Sequence, residues 1–248
     1  MTLDSLYRDS VSRMIMISYL KQPRVVLDAG AGSGLVSKIL AELGCQIVAV
    51  DFAPSAVRSV KMKMPVIDCI VADVRNLPFK ERSFDDEILW GTLEYEGVAN
   101  EAIMEASRVI RERLIFTAWN HDSPLSILAR VIYRDHPPAM FSRERMATVL
   151  KAPGLKLSSL QGLFLILPAY LVALRKITKA MGIPVSTLAF NLAQINGYLC
   201  GSRVTSLLCP VIVACLSREQ WSNIVPLDPE TRPKRAIVID DTYQSSSD

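Results

Sequence analysis

The chain is poor in the side chains from which metal centres and disulfide frameworks are built. Its 248 residues include two histidines and five cysteines. Cys45, Cys69, Cys200, Cys209 and Cys215 form no Cys-x-x-Cys pair and have no histidine at ligand spacing, so neither a metal site nor a cysteine scaffold is expected. Aromatic residues make up 7% of the chain and the formal net charge is only +3. Nucleic-acid binding by bulk charge is disfavoured, because that mode needs a strong excess of cations facing phosphates. The opening Met1-Thr-Leu-Asp-Ser-Leu-Tyr-Arg-Asp9 lacks the basic-then-apolar order of a secretory signal, and an intracellular, cytoplasmic protein is expected. Acid is missing from one long stretch: from Arg145 to Arg218 there is no Asp or Glu, while Arg145, Lys151, Lys156, Arg175, Lys176, Lys179, Arg203 and Arg218 are all cationic. The chain therefore has two characters.

Half of the residues are hydrophobic, enough to exclude wholesale disorder. Their spacing in the first half alternates between strand and helix. A helical pattern over Leu6–Leu20 precedes Pro23, and the β-branched run Arg24–Leu27 follows as a buried strand. Ser37–Leu43 reads as a helix closed by Gly44, Gln46–Val50 as a second strand, and Ala53–Met64 as a helix with Pro54 in its first turn. Ile67–Val71, Glu87–Trp90 and Leu114–Thr117 continue as strands, with a helix over Ala99–Arg111. This order predicts an α/β fold, a parallel sheet with helices on both faces.

The densest local signal is Val25-Val-Leu-Asp-Ala-Gly-Ala-Gly-Ser-Gly-Leu-Val-Ser37, where Gly30, Gly32 and Gly34 separate a strand from a helix. Glycines there permit a tight turn and let a ligand approach the backbone. The dinucleotide fingerprint requires its third glycine where this chain has Leu35. Asp28 would moreover repel a pyrophosphate, so a cation or amine is the expected guest. Asp51 ends the second strand, placed to accept both hydroxyls of a ribose, and Asp73 ends the third, placed to accept from an adenine amino group. Three carboxylates at consecutive strand ends mark the edge where open α/β sheets bind ligands.

These segments resemble the class I S-adenosylmethionine-dependent methyltransferases. Asp28-Ala-Gly-Ala-Gly-Ser-Gly34 is similar to the family's first motif, Val50-Asp-Phe-Ala-Pro-Ser-Ala56 to its ribose-binding strand end, and Val71-Ala-Asp-Val74 to its adenine-binding segment. Leu77-Pro-Phe-Lys-Glu-Arg-Ser-Phe-Asp-Asp-Glu-Ile88 resembles the fourth-strand region of the branch that methylates small molecules, including quinone and lipid precursors. The pattern covers Arg24 to about Thr117, with weaker echoes in Phe141–Met146 and Pro210–Ser217. It implies a doubly wound, mostly parallel, seven-stranded Rossmann-like sheet and S-adenosyl-L-methionine as cofactor. Asp28 and the turn through Gly30, Gly32 and Gly34 would hold the methionine end, Asp51 the ribose, and Asp73 with Val74 the adenine. Phe52 would pack on the adenine face and Trp90 would line the floor under the sulfonium. Asp73 as a cap of Arg75–Leu77, and Trp90 as core, are the bland alternatives.

Methyl transfer from a sulfonium needs alignment more than a catalytic group. If the acceptor must lose a proton, the candidate bases are Glu94, in Gly91-Thr-Leu-Glu-Tyr-Glu96, and His121, in Trp119-Asn-His-Asp122 just past the fifth strand. The family's branch often carries a histidine near the former segment, and this chain does not. His136 is a weaker candidate. The signatures Asn-Pro-Pro-Tyr and Pro-Cys of nucleic-acid base methylation are absent.

A single domain over residues 1–226 is expected, with a core at 22–118, a helical insertion at about 119–203, and last strands at about 156–164 and 204–217. Residues 227–248 read as a polar tail. Leu163–Leu174 and Ala180–Ser202 are uncharged, but Pro168, Gly182 and Pro184 interrupt them. An apolar helical lid over a hydrophobic acceptor is favoured over membrane insertion. The cations Arg175, Lys176 and Lys179 beside it suit peripheral contact with anionic lipid; a basic solvated face is the alternative. Beside a small-molecule methyltransferase stand two other readings, a protein or RNA methyltransferase and a catalytically silent subunit. Neither the acceptor nor the oligomeric state is legible.

Overall fold

The β-branched runs form strands Val25–Ala29 (β1), Gln46–Asp51 (β2) and Asp68–Val71 (β3), in a computed structural model of the chain. The structure describes residues 24–95, 97–124, 126, 139–149, 151–163, 209 and 211–218, together with Ser12 and Met16. Between the first strands lie helices Leu35–Glu42 (α1), which buries Val36, Ile39 and Leu40, and Pro54–Lys63 (α2), which starts on its proline. Then come strand Phe84–Leu89 (β4), helix Ala99–Val109 (α3), and strands Ile110–Asn120 (β5) and Met140–Phe141 (β6). Helix Arg143–Val149 (α4) and strands Lys156–Leu163 (β7) and Val211–Ser217 (β8) complete the order.

The strands form one sheet in the order β3-β2-β1-β4-β5-β8-β7, with β6 pairing to β5 off this path. Pairings among β1 to β6 are parallel, whereas β8 runs antiparallel between β5 and β7. One face packs Leu27, Val48, Leu89, Leu114 and Phe116 against α3 and α4. The other packs Val26, Ile47, Ile88 and Ile115 against α1 and α2, and Met16 joins it fully buried. The rest of the helix expected over Leu6–Leu20 lies outside the described residues, as do segment 164–203 of the expected lid, residues 204–208 of the expected last strand and the tail at 227–248. Within the stretch expected as a helical insertion at 119–203 lie β6 and α4, and β7 falls where a strand was expected at about 156–164. No helix among the described residues is long and apolar enough to cross a membrane.

Two boundaries correct the sequence reading. Strand β4 begins at Phe84, not Glu87, and β5 runs from Ile110 to Asn120, absorbing the residues expected to end α3 at Arg111. Charge hid both. Asp85 accepts from the Val25 N–H at 3.1 Å and pairs with Arg111 at 3.5 Å. Fully buried Asp86 lies 2.6 Å from Arg24 and 3.0 Å from Arg113, and Arg24 also pairs with Glu112. Acids and bases that look like loop residues one at a time neutralise one another across β1, β4 and β5.

Glu87 is the exception. It is paired with its strand neighbours Leu27 and Leu114, has no exposure, and neither carboxyl oxygen has a hydrogen-bond partner among the described residues. Burial, and secondarily Glu105, hold its carboxyl well above the usual carboxylate range against the pull of Arg108. The folded chain thus keeps a proton that the unfolded chain releases above about pH 4.5. Stability from this group is complete below that pH and is lost as pH rises toward the folded value. Glu87→Gln should therefore melt like the wild type near pH 4 and a few degrees higher near pH 8. Equal melting temperatures at both pH values would show that Glu87 does not titrate in the fold.

Candidate functional site

The carboxyl end of β1 turns sharply because both Gly30 and Ala31 donate to the Val50 carbonyl, at 2.8 and 2.9 Å, fastening the glycine turn to the end of β2. Gly30, Gly32 and Gly34 all have positive φ, at 81°, 52° and 83°. Gly30 has no room for a side chain, since a Cβ there would lie 2.3 Å from Thr92 Oγ1. Gly32 is different: among the described residues other than its chain neighbours, the one atom within 4 Å of a Cβ there is the Gly30 carbonyl oxygen, at 3.9 Å. Among those residues the space over Gly32 is an open cradle.

Asp51 flanks that cradle. Its Oδ2 accepts from the Gly32 N–H at 2.7 Å and its Oδ1 from the Ala53 N–H at 2.8 Å. Two backbone donors fix the carboxylate, and each oxygen keeps a further lone pair for a ligand. Phe52, next in sequence, is 76% exposed, a bare aromatic face at the same strand end. Asp28 lies beneath the turn, 1% exposed, with the Ser37 hydroxyl donating to Oδ2 at 2.5 Å. Burial, with a smaller contribution from Asp51, pushes its carboxyl up to about 6 although Ser37 opposes the shift. A cation arriving at the turn would favour the ionised form.

Asp73, the third strand-end carboxylate, is bonded to Arg75. Its Oδ1 accepts from the backbone N–H and Nε of Arg75 at 2.9 and 3.0 Å, and its Oδ2 from Nε and Nη2 at 3.0 and 2.6 Å. All four lone-pair positions are used. The Arg75 guanidinium holds the carboxyl below its ordinary value, and the Asp73 carbonyl accepts from Asn76 at 3.0 Å. This is the turn-capping arrangement. An adenine amino group would have to displace Arg75, whose side chain is 49% exposed and whose pairing is a weak, solvent-screened surface contact. If Asp73 also receives adenine, Arg75→Ala should tighten cofactor binding slightly in calorimetry; unchanged affinity would leave Asp73 a turn cap alone.

Of the remaining expected residues, Val74 buries its side chain in the α3 face, and half-buried Trp90 packs against the core of the α1 face. The two candidate bases are fastened to one short segment. The Glu94 carbonyl accepts from Ala139 N–H at 2.8 Å, and His121 N–H donates to the Phe141 carbonyl at 3.0 Å, so β6 holds the loops after β4 and β5. His121 Nδ1 lies 3.1 Å from Asp122 Oδ1, which favours the proton on Nδ1 and leaves Nε2 to accept. His136 and Glu96 lie outside the described residues. Sequence reasoning missed Ser37, Thr92 and Thr117, whose hydroxyls contact Asp28, the Ala29 carbonyl and the Gly91 N–H.

Residues 27–116 match the family described as "Methyltransferase domain". A demethylmenaquinone methyltransferase of Paenarthrobacter aurescens is 33% identical over 119 residues, 47% of this chain and 46% of that protein. A malonyl-[acyl-carrier protein] O-methyltransferase of Pseudescherichia vulneris is 26% identical over 43% of this chain and 42% of its own length. The chain thus spans less than half the length of these curated relatives. Among solved structures, an S-adenosylmethionine-dependent methyltransferase of Thermotoga maritima, described as a possible histamine N-methyltransferase, superposes with a TM-score of 0.60 at 15% identity, covering 86% of this chain and 92% of that one. The chain shares the Rossmann-like α/β fold of that structure.

Proposed function

We propose that this chain, whose residues 27–116 match a methyltransferase-domain family, transfers a methyl group from S-adenosyl-L-methionine to a small, hydrophobic acceptor. The observation that carries the reading is Asp51, held by the Gly32 and Ala53 N–H groups with lone pairs to spare beside an open glycine cradle. A ribose diol is the group that this geometry accepts. Asp28 supplies a counter-charge beneath the turn for an ammonium, and the exposed Phe52 ring offers a face for a purine. When bound, the cofactor supplies an electrophilic methyl on a sulfonium. What the protein contributes is alignment of the acceptor, which needs no covalent residue.

Glu94 and His121 are the groups available to remove a proton where the acceptor has one to lose. Relatives named for demethylmenaquinone and malonyl-[acyl-carrier protein] support a small or lipid-like acceptor. The apolar run Leu163–Leu174 and the cations Arg175, Lys176 and Lys179 support an acceptor drawn from, or presented at, an anionic membrane surface.

The test is to incubate the protein with cofactor labelled in the methyl group and separate lipid, small-metabolite, protein and RNA fractions. Label in the lipid or metabolite fraction is expected. Label confined to protein or RNA would replace the acceptor class, and no label in any fraction would favour a silent subunit.

A further inference from the structure

We infer that Thr92 is a positioning residue that fixes the glycine turn against the loop entering the acceptor side, Gly91–Tyr95. The inference rests on the reading of the turn as the cofactor site. Its basis is where the sheet's own hydrogen bonding stops. The ladder between β1 and β4 ends at Asp28 and Ile88, and the ladder between β4 and β5 ends at Leu89 and Phe116. Beyond those pairs two buried hydroxyl groups take over. Thr92 donates its hydroxyl to the Ala29 carbonyl at 2.9 Å, and Thr117 accepts the Gly91 N–H on its Oγ1 at 2.8 Å. Three strand ends are therefore tied by side chains at the edge where cofactor and acceptor must meet.

The Thr92 tie is also a spacer. Its Oγ1 fills the place that a Cβ on Gly30 would occupy, with Cγ2 only 2.8 Å from the same point. Thr92 is nearly fully buried, so water cannot easily replace its hydroxyl. Without that hydroxyl the Ala29 carbonyl loses its donor, and the peptide entering the turn loses the contact that sets its distance from β4. Because methyl transfer depends on alignment, a shift of the turn relative to Gly91–Tyr95 acts on both binding and turnover.

Three variants separate positioning from general stability. Thr92→Val keeps shape and removes the hydroxyl, Thr92→Ser keeps the hydroxyl, and Ser107→Ala removes another buried hydroxyl, one that donates to the Met104 carbonyl inside α3, away from the turn. Each is titrated with S-adenosylhomocysteine well below its melting temperature. Thr92→Val should weaken binding about tenfold, whereas Thr92→Ser and Ser107→Ala should stay within about twofold of the wild type. Thr92→Ala takes the place of the valine variant if that does not fold. Wild-type affinity in Thr92→Val or Thr92→Ala, with only a lower melting temperature, would overturn the inference while leaving the cofactor site intact. Failure of the wild type to bind S-adenosylhomocysteine would overturn the proposed function and this inference together.

Discussion

Gly30→Ala is expected to lower the melting temperature by about 10 °C and to abolish measurable cofactor binding. Two costs combine. The residue has φ of 81°, where a side chain costs roughly 1–2 kcal/mol. The new methyl would also sit 2.3 Å from Thr92 Oγ1, and forcing atoms into a filled site costs a further 1–3 kcal/mol, roughly. Together they come to roughly 2–5 kcal/mol, and each kcal/mol moves the midpoint of a chain this size by roughly 2–4 °C. Gly97 isolates the backbone cost, since it shares the positive φ, at 75°, but has no atom of the described residues within 4 Å of a Cβ. Gly97→Ala should lose only about a third of that stability and bind cofactor normally. Thermal melts of both variants check the comparison; equal losses would mean that the contact with Thr92 carries no energy.

Asp51→Ala should weaken S-adenosylmethionine binding by one to two orders of magnitude while the sheet stays folded. Losing the charged acceptor from the ribose contact costs about 1.5–3 kcal/mol in all, and the same substitution frees the Gly32 and Ala53 N–H groups. Asp51→Asn keeps the shape and one acceptor oxygen, and it should fall between wild type and alanine. Calorimetric titration distinguishes the three. An alanine variant that binds like the wild type would remove Asp51 from the ribose site.

The parts of this site that were legible in sequence are those whose geometry is local. The glycine turn, Asp28 and Asp51 lie within motifs of a few residues whose backbone demands are visible in residue type, and the structure places Asp51 against Gly32 and Ala53 at that strand end. Strand β4 was not legible at its start because three consecutive acids, Asp85, Asp86 and Glu87, carry no strand signal. The partners of Asp85 and Asp86, namely Arg24, Arg111 and Arg113, are distant in sequence and meet them only across the sheet. Thr92 and Thr117 were missed for the same reason, since a lone threonine acquires a role only when a strand end is brought to it. Asp73 was the opposite case. Its partner Arg75 stands two residues away, and the capping alternative could be read from that spacing. Strand β6 has two residues and no period to detect, whereas α4 left a weak cue in Ser142, whose hydroxyl accepts from the Arg145 N–H at 3.3 Å.

The most direct measurement is a calorimetric titration of the wild-type chain with S-adenosylhomocysteine, followed by the same titration with NADH. Both ligands carry an adenosine, but only NADH carries the pyrophosphate that Asp28 and the misplaced third glycine disfavour. One saturable site for S-adenosylhomocysteine and no heat with NADH is the expected result. Tight NADH binding, or no binding of S-adenosylhomocysteine, would contradict a methyl-donor site at this sheet edge.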